Sequence, residues 1–140
     1  MASIDRIDSI ILGKLRENSR QTYGDIARQV GLGESATRRR IQNMQKQGII
    51  KRFTVELGDI DNTQAIILIS IDSSIDTHDA STVLIDVPGV QIVYEVTGQY
   101  DITAVISGRS ISDINDTIDS IRKISGVIDT NSVIILRTYS

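Results

Sequence analysis

The sequence predicts an α+β fold in two parts, three short helices followed by a β-α-β-β-α-β unit. Two patterns support this prediction. Apolar residues recur at helical spacing up to Gly48, whereas β-branched runs and strand-like alternation dominate from Gln64 onward. We therefore expect one domain over residues 1–57, a polar linker over residues 58–63 and a second domain over residues 64–140.

The charge balance divides the chain in the same way. Residues 1–57 hold 11 Lys/Arg and 6 Asp/Glu, a net charge of +5. Residues 58–140 hold 4 Lys/Arg and 12 Asp/Glu, a net charge of −8. A basic part favours a polyanion and an acidic part repels one, so the split indicates two parts with different partners. The alternative is an uneven surface charge without functional meaning.

Composition excludes several classes of protein. The 140 residues contain no cysteine, which excludes disulfides, thiolate zinc sites and cysteine nucleophiles. No apolar run opens the chain as in a signal peptide, and none approaches the length of a membrane span. We therefore expect a cytoplasmic protein without a membrane partner.

The first part contains three segments with the periodicity of amphipathic helices. Ser3 or Asp5 can cap the first segment, and Thr22 can cap the second. Residues 31–33, Gly-Leu-Gly, form a short turn with an apolar residue at its centre, which is typical of a helix-turn-helix. The predicted helices are Ile4–Arg16, Tyr23–Val30 and Glu34–Gln47.

A short strand is expected after the third helix. Gly48 can end that helix as its C-cap. The segment Lys51–Leu57 is short and rich in residues that favour strands. The first domain is therefore predicted to be winged-helix-like.

The second part predicts a ferredoxin-like domain. Its elements follow in the order β-α-β-β-α-β, with glycine-containing turns between several of them. The predicted elements are strand Gln64–Ile71, helix Thr77–Asp86, strand Val90–Thr97, strand Tyr100–Ser107, helix Ser110–Ile124 and strand Thr130–Thr138. On the second helix we expect Ile111, Ile114, Ile118 and Ile121 to form one stripe.

Both faces of this sheet are expected to be buried. Two helices cover one face only, yet the strands are apolar on both sides, as in Ile66–Ile69 and Val133–Leu136. In a unit this small, the simplest cover for the second face is another copy of the chain. The pattern therefore predicts a homodimer.

The third helix carries the candidate DNA contacts. With Thr37, Ile41 and Met44 facing inward, the polar residues fall on the opposite side at 100° per residue. Arginine can bond guanine through two hydrogen bonds and glutamine can do the same with adenine, so the partner we expect is double-stranded DNA. Three consecutive arginines cannot all face one way, so one or two must contact phosphates or acidic neighbours. The alternative is an ordinary solvated basic face. The candidates are Ser35, Arg38, Arg39, Arg40, Gln42, Asn43 and Lys46.

We find no candidate for catalysis, a metal or a cofactor. His78 is the single histidine and lies beside Asp76 and Asp79, but a solvated first turn of a helix explains these residues better than a metal site. The sequence has no Gly-x-Ser-x-Gly, Walker or Gly-x-Gly-x-x-Gly motif. We therefore expect no enzyme.

The residues of both parts resemble the Lrp/AsnC, or feast/famine, family of transcription regulators. The resemblance spans almost the whole chain, and the joint spacing of its motifs is more specific than any motif alone. In the first part it rests on Ile26-Ala27, Val30-Gly31-Leu32, Ser35, Arg39-Arg40-Ile41 and Gly48-Ile49-Ile50-Lys51. In the second part it rests on Pro88-Gly89-Val90, Thr97-Gly98-Gln99-Tyr100-Asp101 and Gly126-Val127.

The resemblance implies a sequence-specific regulator that senses a small effector, in most cases an amino acid. It implies a C-terminal domain of the RAM type, which dimerises through its sheet and assembles further, often into octamers. The implied effector site consists of Gly98, Gln99, Tyr100 and Asp101 in a loop and Thr130, Asn131 and Ser132 on the last strand. An architectural DNA-binding protein without an effector is the alternative.

The chemistry of the implied site is reasonable for an amino acid. Glycine-loop N–H groups can bind a carboxylate, and Asp101 can accept from an ammonium group. The alternative is a plain hairpin turn that Asp101 only fixes. Two residues depart from the family pattern. Gln99 replaces the common Asp, which disfavours a cationic effector, and Gly33 replaces the common Ser at the start of the third helix.

Overall fold

The computed structural model describes residues 4–56 and 62–139 of the chain. The chain divides into two compact units, Met1–Glu56 and Leu57–Ser140. The N-terminal unit contains α1 (Arg6–Glu17), α2 (Tyr23–Val30) and α3 (Glu34–Lys46). These helices confirm the predicted three-helix organisation.

Helix α1 begins two residues after the predicted start at Ile4. Asp5 is its N-cap, because the Asp5 carboxylate accepts the backbone N–H of Asp8 at 2.8 Å. The Asp8 carboxylate accepts the backbone N–H of Asp5 in return, at 3.2 Å. This reciprocal capping box satisfies two N–H groups that the helix itself leaves unpaired, which fixes the helix start. Ile4 lies before it and is exposed, and the other candidate cap, Ser3, lies outside the described residues.

Helix α3 ends one residue earlier than predicted, at Lys46. Its C-cap is Gln47, not Gly48. Gly48 follows in the left-handed region with a φ of 72°. This conformation turns the chain so that the backbone N–H of Ile49 bonds the carbonyl of Met44 at 2.9 Å, as in common glycine-terminated helices.

The core of this unit is small, and each of the three helices contributes buried residues to it. Thr37, Ile41 and Met44 of α3 are buried, as the sequence predicted. Ile41 and Met44 are packed with Ile11 of α1 and Ile26 of α2. The threonine is satisfied inside this core, because its hydroxyl donates to the carbonyl of Gly33 at 3.1 Å. The inward side of α3 is thereby fixed.

The strand predicted over Lys51–Leu57 is wrong for the described part of that segment. Residues 51–56 contain no strand, and Leu57 lies outside the described residues. A strand requires a neighbour for its N–H and C=O groups, and none of the described residues pairs with this segment. Phe53 and Val55 remain exposed. The predicted winged-helix-like character is therefore not found in residues 4–56.

The C-terminal unit is a four-stranded antiparallel sheet with two helices, in the predicted ferredoxin-like order. The spatial order of its strands is β2-β3-β1-β4. Thr63 already belongs to the first strand, so the predicted linker over residues 58–63 extends one residue too far. The elements are β1 (Thr63–Ile71), α4 (Thr77–Ile85), β2 (Val90–Glu95), β3 (Ile102–Gly108), α5 (Ile111–Arg122) and β4 (Val127–Ile135).

The strand ends differ from prediction at two connections, one tighter and one longer than expected. Strand β4 starts three residues before the predicted Thr130, because Gly126, with a φ of 93°, turns the chain directly into the sheet. The predicted strands Val90–Thr97 and Tyr100–Ser107 are shortened at their connection, which leaves a longer loop over residues 96–101.

Helix α5 lies between the predicted limits, but its buried stripe differs. Ser110 is the N-cap, as expected, and the helix ends at Arg122. Ile111 is exposed, whereas Thr117 is buried. The Thr117 hydroxyl lies 3.0 Å from the carbonyl of Asp113, within hydrogen-bond distance. Ile111 is the first residue of α5 and is exposed, so its helical spacing alone does not bury it.

One face of the sheet forms the core with the two helices, and the other is half-exposed. We call the second the open face. The register places its side chains in two neighbouring rows across the four strands. These rows are Ile92, Val105, Ile66 and Val133, and then Tyr94, Thr103, Leu68 and Asn131. The core contains Ala65, Ile67, Ile69, Ile71, Ala80, Leu84, Ile102, Ala104, Ile106, Ile114, Ile118 and Ile121.

Candidate nucleic-acid interface and ligand site

The turn before α3 sets the outward face of that helix. Gly31 adopts a left-handed conformation with a φ of 70°, which ends α2 and reverses the chain. The backbone N–H of Leu32 bonds the carbonyl of Ala27 at 3.0 Å. Gly33 is the N-cap of α3 and makes no side-chain cap. The helix is held from its inner side by Thr37, so its polar side faces solvent.

The polar face of α3 has the exposure that the sequence predicted. Six of the seven candidates for DNA contact are exposed, and the seventh, Arg40, is half-buried. The exposed six are Ser35, Arg38, Arg39, Gln42, Asn43 and Lys46. This set combines three positive charges with amide and hydroxyl groups, which is the chemistry that base edges and phosphates require.

The three consecutive arginines have three different environments. Arg40 lies against α1, where its Nη1 is 2.6 Å from Asp5 Oδ2 and 2.8 Å from Asp8 Oδ1. The hydrogen bond from the Asp8 backbone N–H, followed by that from Arg40, lowers the pKa of Asp5. Arg40 was predicted to contact DNA, or acidic neighbours as the alternative, and the structure directs it to acidic neighbours within the protein.

Arg38 lies at the side of the polar face of α3. Its Nη2 lies 3.3 Å from Glu34 Oε1, one turn earlier on α3. Its guanidinium carbon lies 5.0 Å from the centroid of the Tyr23 ring, which is cation–π geometry. Arg38 therefore projects toward the start of α2, which suits a phosphate better than a base edge.

Arg39 is the arginine that faces outward without a partner. In residues 4–56, no carboxylate lies within 4.0 Å of its guanidinium, in contrast to Arg38 and Arg40. Gln42 follows it on the same exposed side. These two side chains are consequently the best placed of the set to meet base edges in a major groove.

Asp101 has a structural role in the loop where a ligand was expected. Its Oδ2 accepts the backbone N–H of Ile71 at 2.8 Å, and its own N–H donates to the carbonyl of Ile69 at 3.0 Å. Its carbonyl accepts the N–H of Val96 at 2.9 Å. The carboxylate therefore fixes the loop to the end of β1, which is the turn-fixing alternative weighed from the sequence.

The structure places the other predicted ligand residues in three locations. Asn131 is paired with Leu68 and lies on the open face, where its Nδ2 is 3.4 Å from the hydroxyl of Tyr100. Thr130 and Ser132 point to the helix side of the sheet, since they are paired with Ile69 and Ile67. Gly98 and Gln99 are exposed in the loop. One pocket cannot contain both neighbours, Thr130 and Asn131, through their side chains.

A cleft lies on the helix side, between the end of α5 and β4. Its volume is about 390 Å³, and it is lined by Arg122, Val127, Ile128, Asp129 and Thr130. Arg122 was missed by the sequence analysis. Its position as the last basic residue of α5, four residues before the Gly126 turn, was a signal that could have found it.

His78 lies in the first turn of α4, close to Asp76 and Glu95. Asp76 is the N-cap of α4 and accepts the backbone N–H of His78 at 2.8 Å. The imidazole Nδ1 lies 3.6 Å from Glu95 Oε1. Among the described residues, no group of three His, Cys, Asp or Glu side chains could hold a metal ion. In the same part of the chain, no helix is long and apolar enough to cross a membrane.

Comparison with known proteins decides the family. Residues 4–45 match the AsnC-type helix-turn-helix domain, and residues 64–140 match the Lrp/AsnC ligand binding domain. The chain belongs to the Lrp/AsnC family. It is thus a DNA-binding transcriptional regulator of the Lrp/AsnC type, which is a family of regulators and not of enzymes.

Several regulators are similar to this chain over nearly their whole length. The HTH-type transcriptional regulator LysM of Saccharolobus solfataricus is 45% identical over 138 residues, which cover 99% of this chain and 97% of that protein. The solved structure of E. coli AsnC is 27% identical, with a TM-score of 0.79 over 98% of this chain and 95% of AsnC. A regulator from Neisseria meningitidis, NMB0573, was solved in complex with L-Met and has the same fold. It is 24% identical, with a TM-score of 0.82 over 99% of this chain and 93% of its own.

Proposed function

We propose that this Lrp/AsnC regulator reads a specific DNA sequence and that a small effector, an amino acid, changes its assembly and its DNA affinity. The observation that carries the DNA part is the outward face of α3, where Arg39 has no carboxylate partner among residues 4–56. A guanidinium that is already paired with a carboxylate has few donors left for a base. An unpaired guanidinium can form two hydrogen bonds to guanine.

On the polar face of α3, different residues are placed for contacts with bases and with phosphates. Arg39 and Gln42 are placed for base edges, and Ser35 at the helix start is placed for a phosphate. Arg38 and Lys46 add backbone contacts on either side. Base contacts specify a sequence and phosphate contacts only position the protein, so Arg39 and Gln42 are the proposed determinants of specificity.

The open face of the sheet supports a homodimer. It exposes two rows of side chains in which Ile66, Leu68 and Val105 occupy the centre. An apolar surface of this kind is costly to leave in water, and a second copy of the chain offers the same surface in return. Two reading helices in a dimer would then contact half-sites about one helical turn apart, which predicts a palindromic operator. Further assembly, as in an octamer, is part of the same proposal.

The effector part is supported by the C-terminal domain. Its match is to a ligand binding domain, and a regulator of the same fold was solved with L-Met. The described residues of this domain contain a cleft of about 390 Å³, within the range of small-molecule sites. An effector that binds one assembly more tightly than another shifts the population toward it, and so changes the DNA affinity.

Binding measurements on the full chain test the DNA part. The operator is selected from random duplexes, and the affinity is then measured for that duplex and a scrambled one over a range of salt concentrations. We expect a specific-to-scrambled ratio of about 10³ or more. Arg39→Ala should weaken specific binding by about 1–3 kcal/mol and relax the preference at one base pair.

Arg109→Ala is the matched control for charge, because Arg109 is exposed on the acidic unit. A specific-to-scrambled ratio near one would instead favour an architectural DNA-binding protein. If Arg39→Ala leaves operator binding unchanged, the assignment of the base-contacting residues on α3 is wrong.

A further inference from the structure

Helix α3 contains one acidic residue, Glu34, among four basic ones. Glu34 is exposed in the first turn of the helix, next to the proposed DNA contact Ser35. A carboxylate at this position repels the phosphates that the neighbouring side chains are expected to approach. It also has an ordinary role, since an acidic first turn and a Glu-to-Arg pair one turn apart both stabilise a helix. The contacts of Glu34 indicate a second role, in DNA binding.

The Glu34 carboxylate is paired with the guanidinium of Arg38. Its Oε1 lies 3.3 Å from Arg38 Nη2. Within residues 4–56 and 62–139, Glu34 supplies the one carboxylate that lies within 4.0 Å of this guanidinium. Arg38 is a proposed phosphate contact, and a phosphate presents the same kind of anionic oxygens to planar N–H donors as a carboxylate does. Glu34 and a DNA phosphate therefore compete for the donors of one guanidinium.

Two residues of α2 border this pair. The Arg38 guanidinium carbon lies 5.0 Å from the centroid of the Tyr23 ring, and Tyr23 packs against the core of the unit. A Cβ atom added to Gly24 would lie 3.3 Å from Glu34 Oε2, so the carboxylate lies close against the start of α2. The cation–π contact with Tyr23 does not involve Glu34, so it can keep the guanidinium in position after the carboxylate leaves.

The Glu34–Arg38 pair can be exchanged at small cost. The Arg38 side chain is 52% exposed and that of Glu34 is 58% exposed, so solvent screens their attraction. The pair of Arg40 with Asp8 differs, because those side chains are only 30% and 15% exposed. A DNA phosphate acts together with the field of its neighbours along the duplex, and it can therefore displace the carboxylate from Arg38.

We propose that Glu34 is an internal competitor for the DNA phosphate that Arg38 binds. In the free protein the carboxylate neutralises the guanidinium, and on binding the phosphate takes its place. This role rests on the proposed phosphate contact of Arg38. Because phosphate contacts are independent of sequence, Glu34 lowers the affinity for operator and non-operator DNA alike. Glu34 thereby limits the retention of the regulator on bulk DNA, while Arg39 and Gln42 determine the sequence preference.

Equilibrium binding of the full chain to a selected operator duplex and to a scrambled duplex tests this role. The variants are Glu34→Gln, Arg38→Gln and the double variant, each measured over a range of salt concentrations. Glu17→Gln is the matched control, because Glu17 forms a similar pair with Lys14 at 3.4 Å on α1. The control removes the same charge from the same unit. Thermal unfolding of every variant measures the effect on stability separately.

We expect Glu34→Gln to raise the affinity for both duplexes by the same factor, about three- to fivefold at low salt. The slope of log affinity against log salt should become steeper by about one, because a neutral pair becomes a net cation. Glu17→Gln should change the affinity by less than about twofold. In the Arg38→Gln background, Glu34→Gln should also act by less than about twofold, since no guanidinium is left to be freed. A merely structural role of Glu34 would lower the melting temperature without raising the DNA affinity.

Three results would overturn the inference. If Glu34→Gln lowers the operator affinity and relaxes the preference at one base pair, Glu34 contacts a base, as carboxylates do with cytosine. If it raises the affinity no more than Glu17→Gln does, or equally in the Arg38→Gln background, it does not act through Arg38. If Arg38→Gln alone leaves the affinity unchanged, the phosphate contact of Arg38 fails and the role of Glu34 fails with it.

The failure of the proposed function would be distinguishable from these results. A wild type that binds both duplexes equally would contradict sequence-specific reading. The competition between Glu34 and a phosphate would still be measured on the scrambled duplex, because it does not depend on the sequence.

Discussion

Arg40 Nη1 on α3 lies 2.8 Å from Asp8 Oδ1 on α1, although the two residues are 32 positions apart. The Asp8 side chain is only 15% exposed and that of Arg40 is 30% exposed, so solvent screens this pair less than an ordinary surface pair. Asp8 is also part of the capping box that starts α1. The contact therefore connects the start of one helix to the middle of the DNA-reading helix.

Arg40 should support DNA binding without contacting a phosphate. We expect Arg40→Gln to lower the melting temperature, because Asp5 and Asp8 lose their cation. The slope of log affinity against log salt should stay unchanged, whereas Lys46→Ala, at a proposed phosphate contact, should reduce its magnitude by about one. Thermal unfolding and operator binding at several salt concentrations measure both effects.

A double-mutant cycle with Asp8→Asn is the control for this contact. The two substitutions should not add, since each removes the same ion pair. If Arg40→Gln reduces the salt slope as much as Lys46→Ala does, Arg40 contacts a phosphate.

Acid should weaken the N-terminal unit partly through Asp5. Its pKa is lowered below the ordinary 3.8, first by the backbone N–H of Asp8 and then by Arg40. A lowered pKa in the folded state gives stability that is present above about pH 4 and is lost as the pH falls through the folded pKa. Asp5→Asn keeps a good N-cap but removes the titration, so its stability should depend less on pH in that range.

Circular dichroism on acid titration measures the effect as a difference between wild type and Asp5→Asn. Asp116→Asn, on the exposed side of α5, is the control. Parallel acid-unfolding curves for wild type and Asp5→Asn would contradict the role of Asp5.

The local signals of the sequence were sufficient for the helix-turn-helix. Thr22 caps α2 through a capping box with Asp25, and Gly31 ends it in the left-handed region. Each signal involves neighbours along the chain, so a single sequence contains it. The strand expected over Lys51–Leu57 depended on a pairing partner, which no local pattern reports.

The candidate ligand site was less predictable because it depends on the register of the sheet. Thr130 and Asn131 are neighbours in sequence but lie on opposite faces of β4. Arg122 lines the cleft from a helix, and its place there depends on the position of α5 over β4. Neither relationship can be obtained from the periodicity of one segment.

The open face should control assembly. Leu68 lies in the middle of the sheet, between Thr103 and Asn131 in the register. Leu68→Glu should convert the proposed dimer into a monomer, because burying an unpaired carboxylate costs several kcal/mol, of the order of the interface energy. Sedimentation velocity on the full chain measures the change.

Val83→Glu is the matched control for Leu68→Glu. Val83 is an exposed apolar residue on α4, on the other side of the domain's core from the open face. It should leave the sedimentation coefficient unchanged. A Leu68→Glu variant that still sediments as the wild type does would show that the open face is not the interface.

Two glycines of one turn should respond oppositely to substitution. Gly33 has a φ of −72° and a ψ of 154°, and a side chain there would meet nothing within 4 Å. Gly33→Ser should therefore give α3 the side-chain cap that it lacks and raise the free energy of unfolding by roughly a few tenths of a kcal/mol.

Gly31 also has open space around it, but its φ is 70°. Gly31→Ser should lower the free energy of unfolding by about 1 kcal/mol, because a side chain disfavours the left-handed region. Urea unfolding of both variants separates the cap from the backbone effect, and a loss of stability in Gly33→Ser would mean that α3 does not start at residue 34.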